Sequence, residues 1–307
     1  MKQPRSQKPR PKGPKPPSGA GGRKGRDGGH SASADKPAPA RKPQGAKPGG
    51  RDPRSAKGKP PHGEARPSGS GLWLYGRHAV AAALANPERK VKRVLATKNA
   101  ADWLANSGAA TTALARLEDA RPETIDQILQ PGAVHQGLAA LVEGLPRARL
   151  KDVCDPAERG RPVLVLDQIT DPQNIGALFR SAAAFGARAV IVQDRRTPPL
   201  SGALAKAAAG AVEIVPCVEV VNIARAIEGL QGLGYFCAGL AGEAGADIAA
   251  LPDAPIALVM GAEGSGLRQL VAATCDGLYR IPIARGVESL NVSNAAAISL
   301  YEARRKG

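Results

Sequence analysis

Aromatic side chains are scarce in this chain of 307 residues, which has three Phe, four Tyr and two Trp, together with two Met and four Cys. The cysteines, Cys154, Cys217, Cys237 and Cys275, are scattered, with no CxxC pair and no histidine at ligand spacing. That pattern argues against a zinc ribbon or a disulfide framework, so reduced, mostly buried thiols and no metal are expected. His78 and His135 stand alone, and a structural role is expected of each. No uninterrupted apolar run reaches the roughly 18 residues that a membrane span needs. The N-terminal stretch also lacks the continuous apolar segment of a secretory signal. An Arg-rich, acid-poor leader resembles an organelle transit peptide, but Pro and Gly at this density spoil an amphipathic helix, so a cytoplasmic location is expected.

A second absence divides the chain. Residues 1–71 contain no Val, Ile, Leu, Phe, Trp or Tyr, and carry 18 Lys or Arg against four Asp or Glu. Such a stretch cannot bury a core and is expected to be a disordered basic tail. Of the formal net charge of +16, this tail accounts for +14. It suits polyanions such as RNA, which it would bind through counterion release without reading sequence; a solubilising leader fits the same composition.

Order is expected from Leu72. The apolar periodicity predicts a helix over Arg77–Ala85, a strand over Val91–Ala96, helices near Ala100–Asn106 and Pro122–Leu129, and a strand over Leu138–Val142. These make a small α/β unit, residues 72–145. Residues 146–160 are polar and flanked by proline, as in a linker. From residue 161 to 307, apolar runs at Val163–Asp167, Ala189–Val192, Ile214–Val215, Tyr235–Leu240 and Ile256–Met260 alternate with helical stretches. The helices are near Ile175–Phe185, Ser201–Ala209, Val221–Leu233 and Leu267–Thr274. Alternation of this kind predicts a parallel sheet with helices on both faces, and ligands at the carboxyl ends of its strands.

Three loops should meet at that edge. The first follows Asp167 and leads into a helix that Asn174 can cap, with Arg180 about two turns in. The second is GAEGSGL, residues 261–267, in which Gly261, Gly264 and Gly266 let backbone pass close to a ligand and Glu263 is the one carboxylate. It lacks the Lys-Ser/Thr of a phosphate-binding loop and does not satisfy GxGxxG. Where a dinucleotide site would place an acidic residue, the chain has Arg280 and Ile281. A nucleotide phosphate is thereby disfavoured, and a neutral or cationic ligand remains. The third loop runs from Gly286 to Asn294 after a short strand-like segment at Ile281. It carries Glu288, Ser289, Asn291, Ser293 and Asn294 in front of an Ala-rich helix. Taken singly, each of these polar residues also suits a turn or a helix cap.

In order and spacing, DPQNIGALFRSAAAFG (171–186), VMGAEGSGL (259–267) and IPIARGVESLNVSNAAAISLYEA (281–303) resemble the three motifs of the SpoU, or TrmH-like, 2′-O-ribose RNA methyltransferases of the SPOUT superfamily. The preceding unit, with LYGRHAV at its start and HQGLAALVE at its end, is similar to the L30e-like RNA-binding domain of the subgroup that includes bacterial 23S rRNA guanosine-2′-O-methyltransferases. The resemblance implies an α/β fold whose C-terminal segment is threaded into a deep trefoil knot, and a homodimer. It implies S-adenosylmethionine as cofactor, with Gly261, Ile281 and Leu290 at its contact positions. It also implies RNA as partner, 23S rRNA first and tRNA as the alternative substrate, and Asn174, Arg180, Glu263, Ser289 and Asn291 as the catalytic and RNA-positioning residues. The family proposal that Arg180 assists deprotonation of the 2′-hydroxyl meets a physical objection. A guanidinium stays protonated in proteins, so it is better suited to stabilising a developing alkoxide or holding a phosphate. A protein that binds RNA without catalysis remains the rival reading, and it predicts a damaged cofactor loop. Two departures stand out: Ala262 where the family has Asn, and Asn294 where an apolar residue is usual.

Overall fold

The computed structural model describes residues 71–108, 117–157 and 160–306. The expected disordered tail lies outside the described residues, Gly71 excepted. The first part runs β1 (Leu72–Tyr75), α1 (Arg77–Ala85), β2 (Val91–Ala96), α2 (Lys98–Ala105), β3 (Leu117–Asp119), α3 (Pro122–Ile128) and β4 (Leu138–Val142). Its four strands lie in the order β1-β4-β2-β3. β4 is antiparallel to both neighbours and β2 is parallel to β3. β1 and β3 are strands where the sequence suggested only a lead-in and loop. Each is short and at a sheet edge, so neither presents enough alternation to be read from pattern.

The rest of the chain builds a larger sheet. Its elements are α4 (Leu150–Val153), β5 (Val163–Leu166), α5 (Pro172–Ala184), β6 (Ala189–Gln193), α6 (Gly202–Ala207), a 3-10 turn (Ala211–Glu213) and β7 (Cys217–Val220). They continue with α7 (Ile223–Gly232), β8 (Phe236–Leu240), β9 (Ala246–Asp247), β10 (Ile256–Met260), α8 (Gln269–Thr274), β11 (Gly277–Arg280) and α9 (Val292–Lys306). The strand order is β7-β6-β5-β10-β8-β11-β9, and every pairing is parallel. Every residue of β5 and of β10 is buried, which is why these segments read as unbroken apolar runs.

Alternate strand residues face opposite helical layers. Leu164, Leu166, Leu258 and Met260 join Leu178 and Phe179 of α5 and Ala296 and Leu300 of α9 in one core. Val163, Val165, Ala257 and Val259 join Ile223, Ile227 and Leu230 of α7 in the other. The first core continues into the smaller sheet through Leu74, Val80, Val94 and Leu138. α4, within the stretch expected as a linker, packs Leu150 and Val153 on the second core, beside buried Cys154.

Two further contacts fix the packing, the first within the larger part and the second between the two parts. A Cβ on Gly176 of α5 would stand 2.5 Å from Ala207 Cβ and 2.8 Å from Leu204 O of α6, so glycine there sets how closely the two helices approach. Between α1 and β2, Arg89 donates to both oxygens of Glu213, with Nη2 at 2.6 Å and Nε at 3.0 Å. Both side chains are almost completely buried.

Three local expectations are corrected. Ile214–Val215 is not a strand; Ile214 closes the 3-10 turn and is 71% exposed, and the strand starts only after Pro216, as the alternating, edge-positioned CVEV of β7. Asn174 does not cap its helix. Asp171 does, accepting from Asn174 N at 2.7 Å with Pro172 in the first turn. The segment at Ile281 is irregular, and the strand is the preceding Gly277–Arg280, before Pro282 withholds its donor.

All four cysteines are free thiols. Burial pushes Cys154 up to about 11 and Cys237 and Cys275 up to about 12. At pH 8 in the native protein, Cys237 should therefore react with a maleimide at least about 100-fold more slowly than in the unfolded chain, as peptide mapping would read. Truncating one partner of the buried pair, Glu213→Ala, should cost about 3–5 kcal/mol in urea unfolding, because Arg89 keeps its charge without its partner. Replacing both residues by apolar ones of similar volume should cost less than that single truncation.

Candidate active site at the carboxyl edge of the large sheet

β10 lies between β5 and β8, and the loop that follows it folds back on itself. Gly266 N donates to Ala262 O at 2.9 Å and Ser265 N to Glu263 O at 3.0 Å. A Cβ on Gly261 would strike the Gly266 carbonyl group and Leu267 N, so a glycine is required at the base of this turn. Gly264 and Gly266 have φ of 79° and 65°, in the region that side chains rarely adopt. The turn holds the Glu263 side chain against the other two loops.

There one carboxylate oxygen joins three segments. Glu263 Oε1 accepts from Asn291 Nδ2 at 2.8 Å, Asn174 Nδ2 at 3.3 Å and Val292 N at 3.3 Å. Asn291 Nδ2 also donates to Asn174 Oδ1 at 3.1 Å. Val292 is the first residue of α9, so the carboxylate sits at a helix N-terminus, where an orphan N–H and the helix dipole both favour it. Asn291 Oδ1 in turn accepts from Ser293 N at 2.9 Å and from Ser293 Oγ. The polar run before the last helix is thus partly a cap, as its residue types suggest, and partly a joint to two other loops.

The other expected residues make no hydrogen bond in this joint. Arg180 is exposed on α5 and has no hydrogen bond or ion pair among the described residues. Ser289 is exposed, while Leu290 and Ile281 are half-buried on the same connection between β11 and α9. Asn294 is exposed, so its amide needs no partner, and Ala262 is half-buried in the turn.

One supporting residue was missed. Asp167, at the end of the β5 run, is fully buried and accepts from Arg268 Nη2 at 2.6 Å, Arg268 Nε at 2.9 Å and Arg268 N at 3.1 Å. It ties the far end of the glycine turn to the strand beside β10. Its signal was a carboxylate closing an otherwise apolar buried strand, which demands a cationic partner.

Two family models cover most of the described residues. RNA 2′-O ribose methyltransferase substrate binding matches residues 73–148, and the SpoU rRNA Methylase family matches residues 161–301. The 23S rRNA (guanosine-2′-O-)-methyltransferase RlmB of Vibrio parahaemolyticus is 40% identical over 242 residues, covering 77% of this chain and 98% of the relative. That of Ralstonia nicotianae is 41% identical over 237 residues, covering 76% and 95%. The chain belongs to the SpoU methylase family.

Among solved structures, the AdoMet-bound rRNA methyltransferase of Sinorhizobium meliloti superposes with a TM-score of 0.64 at 25% identity, covering 77% of this chain and 87% of that one. The SpoU methyltransferase AviRb of Streptomyces viridochromogenes shares the fold, with a TM-score of 0.62 at 24% identity. In this SpoU chain the three family motifs are therefore the three segments that meet at Glu263. Glu263→Ala should free Asn174, Asn291 and Val292 N together. Amide exchange over residues 287–292 should then accelerate by about tenfold or more, for a loss of about 1–3 kcal/mol of local stability, while β5 and β10 stay protected.

Proposed function

We propose that this protein transfers a methyl group from S-adenosylmethionine to a ribose 2′-hydroxyl of RNA, a guanosine of 23S rRNA. The observation that carries the reading is the span of the match: about 40% identity over nearly the whole length of 23S rRNA guanosine-2′-O-methyltransferases, taking in both parts of the chain. The rival reading, RNA binding without catalysis, expects a damaged loop. Here the glycine turn is formed, and Glu263 is engaged by both neighbouring motifs.

The residues at the sheet edge fit the cofactor. GAEGSGL carries one carboxylate and no cation, and the nearby Arg268 is committed to Asp167. Such a lining suits a sulfonium and disfavours phosphate. Gly261, Ile281 and Leu290 are its proposed contacts, offering backbone groups and half-buried apolar surface. When bound, the cofactor supplies a methyl carbon already activated by a positively charged sulfur.

The protein's task is then to position the ribose oxygen in line and manage its proton. Arg180, exposed and unpaired among the described residues, offers a permanent positive charge to the developing alkoxide or the adjacent phosphate. Asn174, Glu263 and Asn291 are positioning residues, because they hydrogen-bond one another, Glu263 through Oε1. Ser289, exposed one step before Leu290, is placed to meet the RNA or the cofactor edge.

Residues 72–145 serve in this reading as an L30e-like RNA-binding domain, 146–160 as the connection and 161–307 as the methyltransferase domain, with the basic tail 1–71 adding contact to RNA phosphates. A trefoil knot accords with the path of the chain. From β11, two strands beyond β10, it returns across β10 to Glu263 and Asn174 before entering α9. A homodimer accords with Ile298 and Tyr301 of α9, which are 40% and 51% exposed. Among the described residues no helix is long and apolar enough to cross a membrane, and a ribosomal RNA substrate accords with a cytoplasmic location.

Site-resolved ribose-methylation mapping of total RNA from cells with and without the gene should show one 23S rRNA guanosine mark lost. A lost tRNA mark, or no loss, would overturn the substrate or the activity. With purified protein, Arg180→Ala should lower transfer by about 100-fold or more, the scale of one lost transition-state donor, while S-adenosylmethionine binding by calorimetry is unchanged.

A further inference from the structure

The start of α1 and the end of α2 build a second polar and aromatic cluster, away from the Glu263 joint. Trp103 is half-buried on α2, with the Arg77 guanidinium over its ring at 5.4 Å and the His78 ring edge-on at 5.6 Å. His78, Trp103, Asn106, Ser107, Ala81 and Ala209 line a cavity of about 450 Å³, large enough for a nucleobase. Asn106 Nδ2 and Ser107 Oγ donate to backbone carbonyls of the α2 end at 2.8 and 2.7 Å. Asn106 Oδ1 and the Ser107 oxygen lone pairs remain as acceptors. A helix C-terminus with free acceptors repels phosphate and attracts the N–H edge of a base.

Two cationic groups stand beside the start of α1. Arg77 Nε is buried and has no hydrogen-bond partner among the described residues. Lys206 of α6 has no ion pair there either, and its stem lies beside Gly76, where a Cβ would meet Lys206 Cγ and Gln136 Oε1 at 3.4 Å each. Two non-glycine residues with left-handed backbone border the cluster: Gln136 with φ 55°, whose Oε1 accepts from Arg77 N at 3.1 Å, and Ala209 with φ 50°. Such conformations cost of order 1–3 kcal/mol each and gather at ligand sites. Neither the glycine turn nor the Glu263 joint uses any of these groups.

We propose that this cluster is a nucleotide-binding subsite for one unpaired residue of the RNA. The base packs in the cavity against the surface of the touching His78–Trp103 ring pair, with its N–H edge toward Asn106 and Ser107, and the phosphate lies on Arg77 and Lys206. Stacking on aromatic rings and arginine planes is how proteins hold unpaired bases, since every base has a π-face. The subsite is keyed to the reaction centre through α5 and α6: Gly176, two residues after Asn174, packs on Ala207, the neighbour of Lys206. This inference rests on the RNA methyltransferase reading and adds where the substrate is gripped outside the reaction centre.

The test uses the full chain carrying Trp73→Phe, which leaves Trp103 as its one tryptophan. It is titrated with an unpaired six-nucleotide adenosine RNA at about 0.3 M salt, where contacts of the basic tail are largely screened. Saturable quenching of Trp103 fluorescence is expected, with affinity about tenfold weaker in Arg77→Ala and Lys206→Glu; Trp103→Ala, which keeps no tryptophan, is read by the anisotropy of the same RNA carrying a fluorophore and should weaken by a similar factor. S-adenosylmethionine binding should be the same in all variants. Should Trp103→Ala or Arg77→Ala lower the melting temperature, the half-exposed Lys206→Glu and the exposed Asn106→Ala decide. Absence of quenching, or unchanged affinity in Lys206→Glu and Asn106→Ala, overturns the subsite. The titration reads nucleotide binding and not methyl transfer, so a protein that methylates RNA but shows no quenching refutes this inference alone. One that binds the RNA through Trp103 but transfers no methyl refutes the enzymatic reading alone.

Discussion

A single carboxylate oxygen, Glu263 Oε1, holds the working edge of the large sheet together. Three donors from two other segments converge on it, and one is the first amide of the last helix. Because a helix N-terminus already favours negative charge, the same contact that aligns the loops also anchors α9. The strands bring their carboxyl ends together by parallel pairing alone, but loops at such an edge have no ladder to order them. Their order comes from this junction and from Asp167, which holds Arg268 on the other side of the glycine turn.

Close backbone approach is the second constraint, and glycine supplies it twice. Gly261 lets the turn fold flat on itself, and Gly176 lets α5 settle onto α6. Through α6 and the 3-10 turn after it, the larger sheet is bound to the smaller one by a shared apolar core and by the buried Arg89–Glu213 pair. Buried ion pairs contribute little net stability compared with apolar substitutes, yet they penalise any arrangement in which the partners part. The pair therefore suits a role in holding one relative placement of the two sheets.

Much of this was legible in the residues. Unbroken apolar runs such as VLVL and IALVM mark strands covered on both faces, and their alternation with helical periodicity signals a parallel sheet. The glycine turn could be separated from a phosphate site because it lacks the Lys-Ser/Thr pair of a phosphate-binding loop. Asn174, Glu263 and Asn291 were singled out from motif resemblance, and the structure brings these three into hydrogen-bonding contact. Less legible were the ends of elements. Asn174 and Asp171 are both good cap residues three positions apart, and only the backbone geometry assigns the role to Asp171. β7 was misplaced because an edge strand needs only one apolar face, so CVEV gives no continuous run, whereas exposed Ile214 imitates one.

The sequence by itself determined most of the helices and the buried central strands, where disorder-promoting composition ends, and which three loops carry the polar groups. These are local properties, since periodicity, glycine content and charge are read within a few residues. Only the tertiary structure decided which polar atoms are spent on one another. Glu263 is separated from Asn174 by 89 residues and from Asn291 by 28, and no local propensity encodes a hydrogen bond over such spans. The same holds for Asp167 with Arg268 and for Arg77 over Trp103. Arg180 shows the converse: its helix is legible in the sequence, but its lack of any partner among the described residues became evident only when every neighbour had been placed.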